Sequence, residues 1–136
     1  MRRRGQSGAS AVEFAIILPL LLVLVFGIIE FGLAFNRQQA FHAASREAAR
    51  LVSVGYSLSD VEQTVLDQAS GTIGNQNDIA VTVVGGGCTG TGLSNDLVTV
   101  RVELSNPGPY AIRIPFIPQS NPTYRSDATF RCEVQP

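Results

Sequence analysis

Residues 14–35 form a run of 22 positions in which Glu30 carries the only charge. A bilayer core of about 30 Å calls for roughly 20 apolar residues in a helix. A helix is also the only single segment that satisfies all of its own backbone groups in lipid. The run therefore predicts a membrane span and argues against a free cytoplasmic globule. The chain has 136 residues, so what lies beyond the span is one modest domain. Arg2, Arg3 and Arg4 precede the run, and Arg37 is a single charge just after it. Clustered arginines stay in the cytoplasm. The expected topology is single-pass in the cytoplasmic membrane, with the N-terminus cytoplasmic and the C-terminal domain extracytoplasmic.

A cleaved signal peptide is the alternative for the same segment, because it also has a basic start and an apolar core. The run is longer than the usual apolar region of about 7–15 residues. The nearest small-x-small site at its far end is Gly32-Leu33-Ala34. A retained anchor is the better reading. Pro19 removes one helical hydrogen bond and predicts a gentle kink. Gly27 and Gly32 expose backbone for membrane packing, but they are five residues apart, not the four of a small-xxx-small face. Ala40, Ala44 and Ala48 have that spacing beyond the lipid. They either let another helix approach closely or reflect ordinary helix propensity.

Two carboxylates need an explanation. An ionised carboxylate in hydrocarbon is costly unless it is paired, neutralised or near the interface. Glu30, near the far end of the run, escapes that cost if it lies close to the outer headgroups. Glu13 lies at the cytoplasmic edge, where it would neutralise the α-amine of a neighbouring subunit if processing creates one. The residues Gly8-Ala9-Ser10-Ala11-Val12-Glu13-Phe14 make this concrete. They resemble the processing site of type IV prepilins, whose basic leader is cut after a glycine and whose fifth mature residue is glutamate. Carried over, the cut falls between Gly8 and Ala9.

The match extends through Ala15-Ile16-Ile17-Leu18-Pro19, then Phe26-Gly27-Ile28-Ile29-Glu30-Phe31-Gly32, then Ala43-Ala44-Ser45-Arg46-Glu47-Ala48-Ala49-Arg50. Over residues 5–54 the chain resembles the TadE-like family of tight-adherence pilus assembly proteins. The rest is similar only loosely, as a β-rich tail. The resemblance implies a minor pilin or pseudopilin that helps to build Flp-type pili for adherence. It also implies a prepilin peptidase as processing enzyme. Other pilins, pseudopilins and inner-membrane assembly proteins are the implied neighbours in the lipid bilayer.

The expected architecture is α+β, a long transmembrane helix continuing into a small extracytoplasmic domain with a short helix and an antiparallel sheet. Its parts are a basic leader (1–8), a transmembrane helix (9–35), an extracytoplasmic continuation (36–54) and a small α+β domain (55–136). Phe41, Ala44, Ala48, Leu51 and Val52 recur at helical spacing, and Gly55 is the expected stop. Glu47 and Arg50 are placed to pair on the wet face. Residues 60–69 predict a second helix capped by Ser59 or Asp60, with Val61, Val65, Leu66 and Ala69 facing inward. Gly71 and Gly74 then mark a turn. Strands are expected over 79–84, 97–104 and 129–134. A possible edge strand over 110–117 is confined or broken by Pro109, Pro115 and Pro118.

The glycine-rich stretch 85–92 lacks the lysine and context of a nucleotide cradle and reads as a flexible hairpin connection. Cys88 and Cys132 are the only cysteines. In an exported chain they suggest a disulfide, with two free thiols as the alternative. No metal site and no cofactor are expected. His42, the single histidine, reads as a surface residue and not a catalyst. The protein is expected to be a peptidase substrate, not an enzyme. From Leu51 onward four arginines face eight carboxylates, which argues against nucleic-acid binding. Two other functions compete, a binding protein tethered by an uncleaved signal anchor and an extracytoplasmic enzyme dependent on His42.

Overall fold

A computed structural model describes residues 6–73, 76–86, 88, 97–106 and 110–133. Its first element is a single 48-residue helix, α1 (Gln6–Ser53), about 72 Å long at 1.5 Å per residue. Pro19 lies inside α1 without ending it. The stop comes where the sequence places it. Gly55 has φ 97°, a left-handed conformation that glycine adopts without steric cost. The Gly55 N–H donates to Val52 O at 3.1 Å and the Tyr56 N–H to Leu51 O at 3.1 Å. These paired bonds make a Schellman cap, which satisfies carbonyls the helix end leaves open.

The chain turns back at once into α2 (Leu58–Ile73). Its cap is Ser57, not Ser59 or Asp60. The Asp60 N–H donates to Ser57 Oγ at 3.3 Å, while Ser57 Oγ donates to Asp60 Oδ2 at 2.6 Å. The helix also runs through Gly71, so the expected turn there is displaced; Gly74 lies outside the described residues. Val61, Val65 and Ala69 are buried and Leu66 packs beside them, as the periodicity predicts.

A short 3₁₀ turn (Gln76–Asp78) leads into an antiparallel sheet in the order β1 (Ile79–Gly86), β2 (Leu97–Leu104), β3 (Arg125–Arg131). β2 alternates as its sequence does. Val98, Val100, Val102 and Leu104 are buried, while Arg101 and Glu103 face outward. β1 continues two residues beyond the expected strand, with a register shift between Val83 and Gly85. Gly86, with φ 70°, lies so close to the Leu97 carbonyl that a Cβ would overlap it. Gly85 and Gly86 are therefore strand and not hairpin loop. Residues 87 and 89–92 lie outside the described residues.

The last strand spans 125–131 and not 129–134, and Val134 lies outside the described residues. Residues 110–117 form no strand. Only an isolated bridge joins Ile112 to Ser120. Prolines 115 and 118 supply no N–H donors, so this segment cannot extend a ladder.

The core lies between the sheet and the upper part of α1, with α2 alongside. Phe41, Ala44, Ala48 and Ala49 of α1 are buried against the sheet valines and Tyr124. The Phe41 and Tyr124 rings stack with centroids 6.1 Å apart. The alanine spacing at 40, 44 and 48 receives a helix of the same chain, because Ala40, Ala43 and Ala44 line a cleft with Gln68, Ala69 and Thr72 of α2. On the wet face of the sheet, Arg101 donates to both oxygens of Asp127 at 2.8 Å. These hydrogen bonds hold the Asp127 carboxyl below its ordinary range and the Arg101 guanidinium above its own.

Cys88 and Cys132 form a disulfide across 44 residues of chain, with Cα atoms 5.5 Å apart. The next residue, Glu133, donates its N–H to Ser53 O at 3.0 Å. The chain beyond β3 is thus tied to the end of α1 and to the segment after β1. Closing a loop of that length is worth about 4 kcal/mol in the chain-entropy account.

The Tyr124 hydroxyl is buried and has no hydrogen-bond partner among the described residues. An unsatisfied buried group costs about 1–3 kcal/mol. Tyr124→Phe is therefore expected to leave the stability of the detergent-solubilised full chain unchanged or raised. Phe41→Ala, which empties the other half of the stack, should lower it by about 3–5 kcal/mol. Chemical unfolding followed by near-ultraviolet circular dichroism reads both.

Candidate functional site: the helical stem and its anchor points

α1 has two different surfaces along its length. Below Ala34 its large apolar side chains are exposed, among them Phe14 (60%), Ile16, Leu20, Leu24, Ile28 and Phe31. An 18-residue window there is apolar enough to cross a membrane, and none of it is buried by the protein. Above Ala40 the same helix is the spine of the domain core. The change reflects composition. The lower part is apolar all round, whereas the upper part is apolar on one face only.

The residues assigned to processing sit together on the first turns of α1. Gly8, Ala9, Glu13 and Phe14 are all helical and exposed, and a Cβ at Gly8 would meet nothing within 4 Å among the described residues. Ala9 and Glu13 are four apart and share one helix face. The cluster Arg2, Arg3 and Arg4 lies outside the described residues. Gly27 and Gly32 differ in their surroundings among the described residues. Gly32 is open, while a Cβ at Gly27 would lie 4.0 Å from Ile114 Cδ1. Glu30 is half-buried one turn above Gly27. Glu47 and Arg50 pair at 3.4 Å, as their spacing predicts.

His42 has closer partners than its sequence neighbours indicate. Its Nδ1 is 2.7 Å from Ser126 Oγ on β3, and Ser126 Oγ shares a hydrogen bond of 2.9 Å with Ser45 Oγ. Gln38 Nε2 is 3.2 Å from His42 Nε2 and donates to Arg125 O at 3.0 Å. The contact resembles a serine–histidine pair, but its chemistry is reversed. Arg125 O only accepts, so the nitrogen of the Gln38 amide must face it. That amide then donates to His42 Nε2, which leaves the ring proton on Nδ1, pointing at Ser126. Such a ring donates to the serine and cannot take its proton. Ser126 is also only 5% exposed. The group is a polar bolt that fixes β3 to α1. Sequence reading missed it because its partners are more than 80 residues apart. The only hint was serine on the core-facing phase of a strand. Among the described residues no three His, Cys, Asp or Glu side chains form a group that could hold a metal ion.

A further contact places Arg37 over the Tyr110 ring, 5.4 Å from its centroid. Tyr110 also donates to Asp78 Oδ2 at 3.3 Å. The first arginine beyond the apolar run is thus seated on the domain.

If the bolt is structural, Ser126→Ala and His42→Ala should each lower stability by about 1–3 kcal/mol. The double variant should lose less than the sum of the two, because the partners act as one network. Urea unfolding of the four proteins in detergent measures the coupling. Additive losses would show that the two side chains act separately.

No curated protein and no solved structure matches the chain. The segment that carries the exposed apolar helix, the Gly8 to Phe14 pattern and the first part of the domain spine does have a match: residues 8–50 match the TadE-like protein family.

Proposed function

We infer that this chain is a minor pilin or pseudopilin that supports assembly of Flp-type tight-adherence pili. The single observation that carries the reading is the TadE-like match over a helix whose exposed apolar half continues without a break into the core of a folded domain. Such a helix has two successive uses. In the membrane it is an anchor. In an assembly, the same apolar surface packs against its counterparts on other subunits.

In this reading a prepilin peptidase removes residues 1–8 at the cytoplasmic face and leaves a new amine at Ala9. Glu13 pairs with the amine of a neighbouring subunit, and Phe14 begins the lateral packing surface. Pro19, Gly27, Glu30 and Gly32 shape the helix that other pilins, pseudopilins and inner-membrane assembly proteins meet. The domain beyond Gly55 is presented outside the cytoplasmic membrane, where an oxidising environment keeps the Cys88–Cys132 disulfide closed.

The test is replacement in cells that build the pilus. Glu13→Gln and Glu13→Ala should both reduce pilus yield while leaving the protein in the membrane. Replacing residues 9–35 with an unrelated membrane helix should abolish assembly. Normal pili after that replacement would instead mark the chain as a binding protein that needs only a tether.

A further inference from the structure

The connection between β2 and β3 does not stay with the sheet. Tyr110 lies beside Arg37 of α1, and four residues later Ile114 lies beside Gly27. Those two points on α1 are ten residues apart, about 15 Å along the axis. Four extended residues span about 13 Å. Residues 110–114 therefore descend along the helix toward its apolar half. The Ile112 N–H donates to Ser120 O at 2.8 Å and the Ser120 N–H to Ile112 O at 3.2 Å, which closes the neck of the loop. Its tip is Pro115-Phe116-Ile117-Pro118.

The tip is a tight turn in which Ile117 N–H donates to Ile114 O at 3.2 Å. Proline at the second position and a positive φ at the third are the pattern of a type II turn, whose third position favours glycine or asparagine. Here that position is Phe116, with φ 65°. A bulky side chain in the left-handed region is strained. It also gives the fold nothing in return, because Phe116 is 87% exposed and Ile117 beside it is 50% exposed. A local rule is broken to point an aromatic ring outward.

The level of the tip identifies what the ring meets. Residues 8–35 contain more length than a bilayer needs. Even if the hydrocarbon began as early as Gly8, roughly 20 residues would bring its outer boundary to Gly27. If it began at Phe14, the boundary would lie about six residues higher and Gly27 would be about 9 Å inside. For a span of about 20 residues that begins anywhere from Gly8 to Phe14, Ile114 stands at or below the outer edge of the hydrocarbon, and the tip continues the lipid-facing surface of α1. Arg113, exposed one residue earlier, falls where a guanidinium meets lipid phosphates while its stem lies along apolar surface.

We propose that the loop 112–120 is a membrane wedge, in which Phe116 and Ile117 insert into the outer leaflet beside α1 and hold the domain against the bilayer. The proposal rests on α1 being a membrane span. With this second point of attachment the domain does not swing freely on its stem, and leaving the membrane requires withdrawing both helix and loop.

The chain has no tryptophan, so a single introduced one reports its own surroundings. The full chain carrying Phe116→Trp, or Ile117→Trp as a second reporter, is reconstituted in phosphatidylethanolamine–phosphatidylglycerol vesicles with brominated acyl chains. Leu24→Trp reports the span, and Gln63→Trp reports the exposed face of α2. The expected result is that the bromolipid removes most of the emission at positions 24, 116 and 117 but not at 63, while iodide quenches only position 63. If position 24 is quenched by lipid and position 116 by iodide, the wedge is wrong and the anchor stands. If position 116 is shielded from iodide yet untouched by bromolipid, the tip meets protein, which also overturns the wedge. If position 24 escapes the bromolipid, the anchor reading itself fails and takes the wedge with it.

Discussion

α1 runs as one helix from Gln6 to Ser53, with Pro19 withholding a single backbone donor, and the rest of the molecule is arranged around that continuity. Isolated helices of this kind draw little stability from propensity alone; burial of a face supplies most of it. Here two different solvents supply it in turn. The lower half is apolar all round and suits lipid. The upper half offers one stripe, in which Phe41, Ala44, Ala48 and Ala49 are covered by the sheet and α2. Because one helix serves both, the domain inherits its position relative to the membrane from the backbone of the anchor.

Three devices close the domain onto that spine. The Schellman cap at Gly55 reverses the chain within a few residues, so α2 returns along the alanine stripe. The bolt of Gln38, His42, Ser45 and Ser126 pins the strand farthest along the chain to the helix. The disulfide and the Glu133–Ser53 hydrogen bond tie down the chain after that strand. A small domain buries a limited fraction of its surface, and cross-connections from the far end of the chain compensate for that limit. The exposed apolar stem and the Phe116 tip stand outside this scheme. Both are surfaces that the protein leaves for something other than itself.

Much of this was legible in the residues because it depends on short-range pattern. The apolar run, the helical recurrence of Phe41, Ala44 and Ala48, the stop at Gly55 and the alternation along 97–104 are all set by neighbours a few positions apart. The N-cap at Ser57 was equally local, and Ser57-Leu58-Ser59-Asp60 contains its signal, but the polar residues beside the apolar pattern drew the assignment instead. The stretch 110–117 was harder, since its β-branched isoleucines favour a strand and its prolines oppose one. The prolines prevail because no ladder can form across missing donors. The bolt and the Arg37–Tyr110 contact were not legible, because each joins residues more than 70 positions apart. The role proposed for Glu13 rests on its spacing from Gly8 and on the TadE-like match over residues 8–50, and not on any contact among the described residues.

The account depends most on the bond between Gly8 and Ala9. It is best tested by the N-terminal sequence and intact mass of the membrane-extracted protein, from cells with and without their prepilin peptidase. A chain that starts at Ala9 only when the peptidase is present is the predicted result, and it would give Glu13 a partner amine of the required kind. A chain that starts at Met1 in both strains would contradict the pilin reading. It would leave α1 as an uncleaved tether.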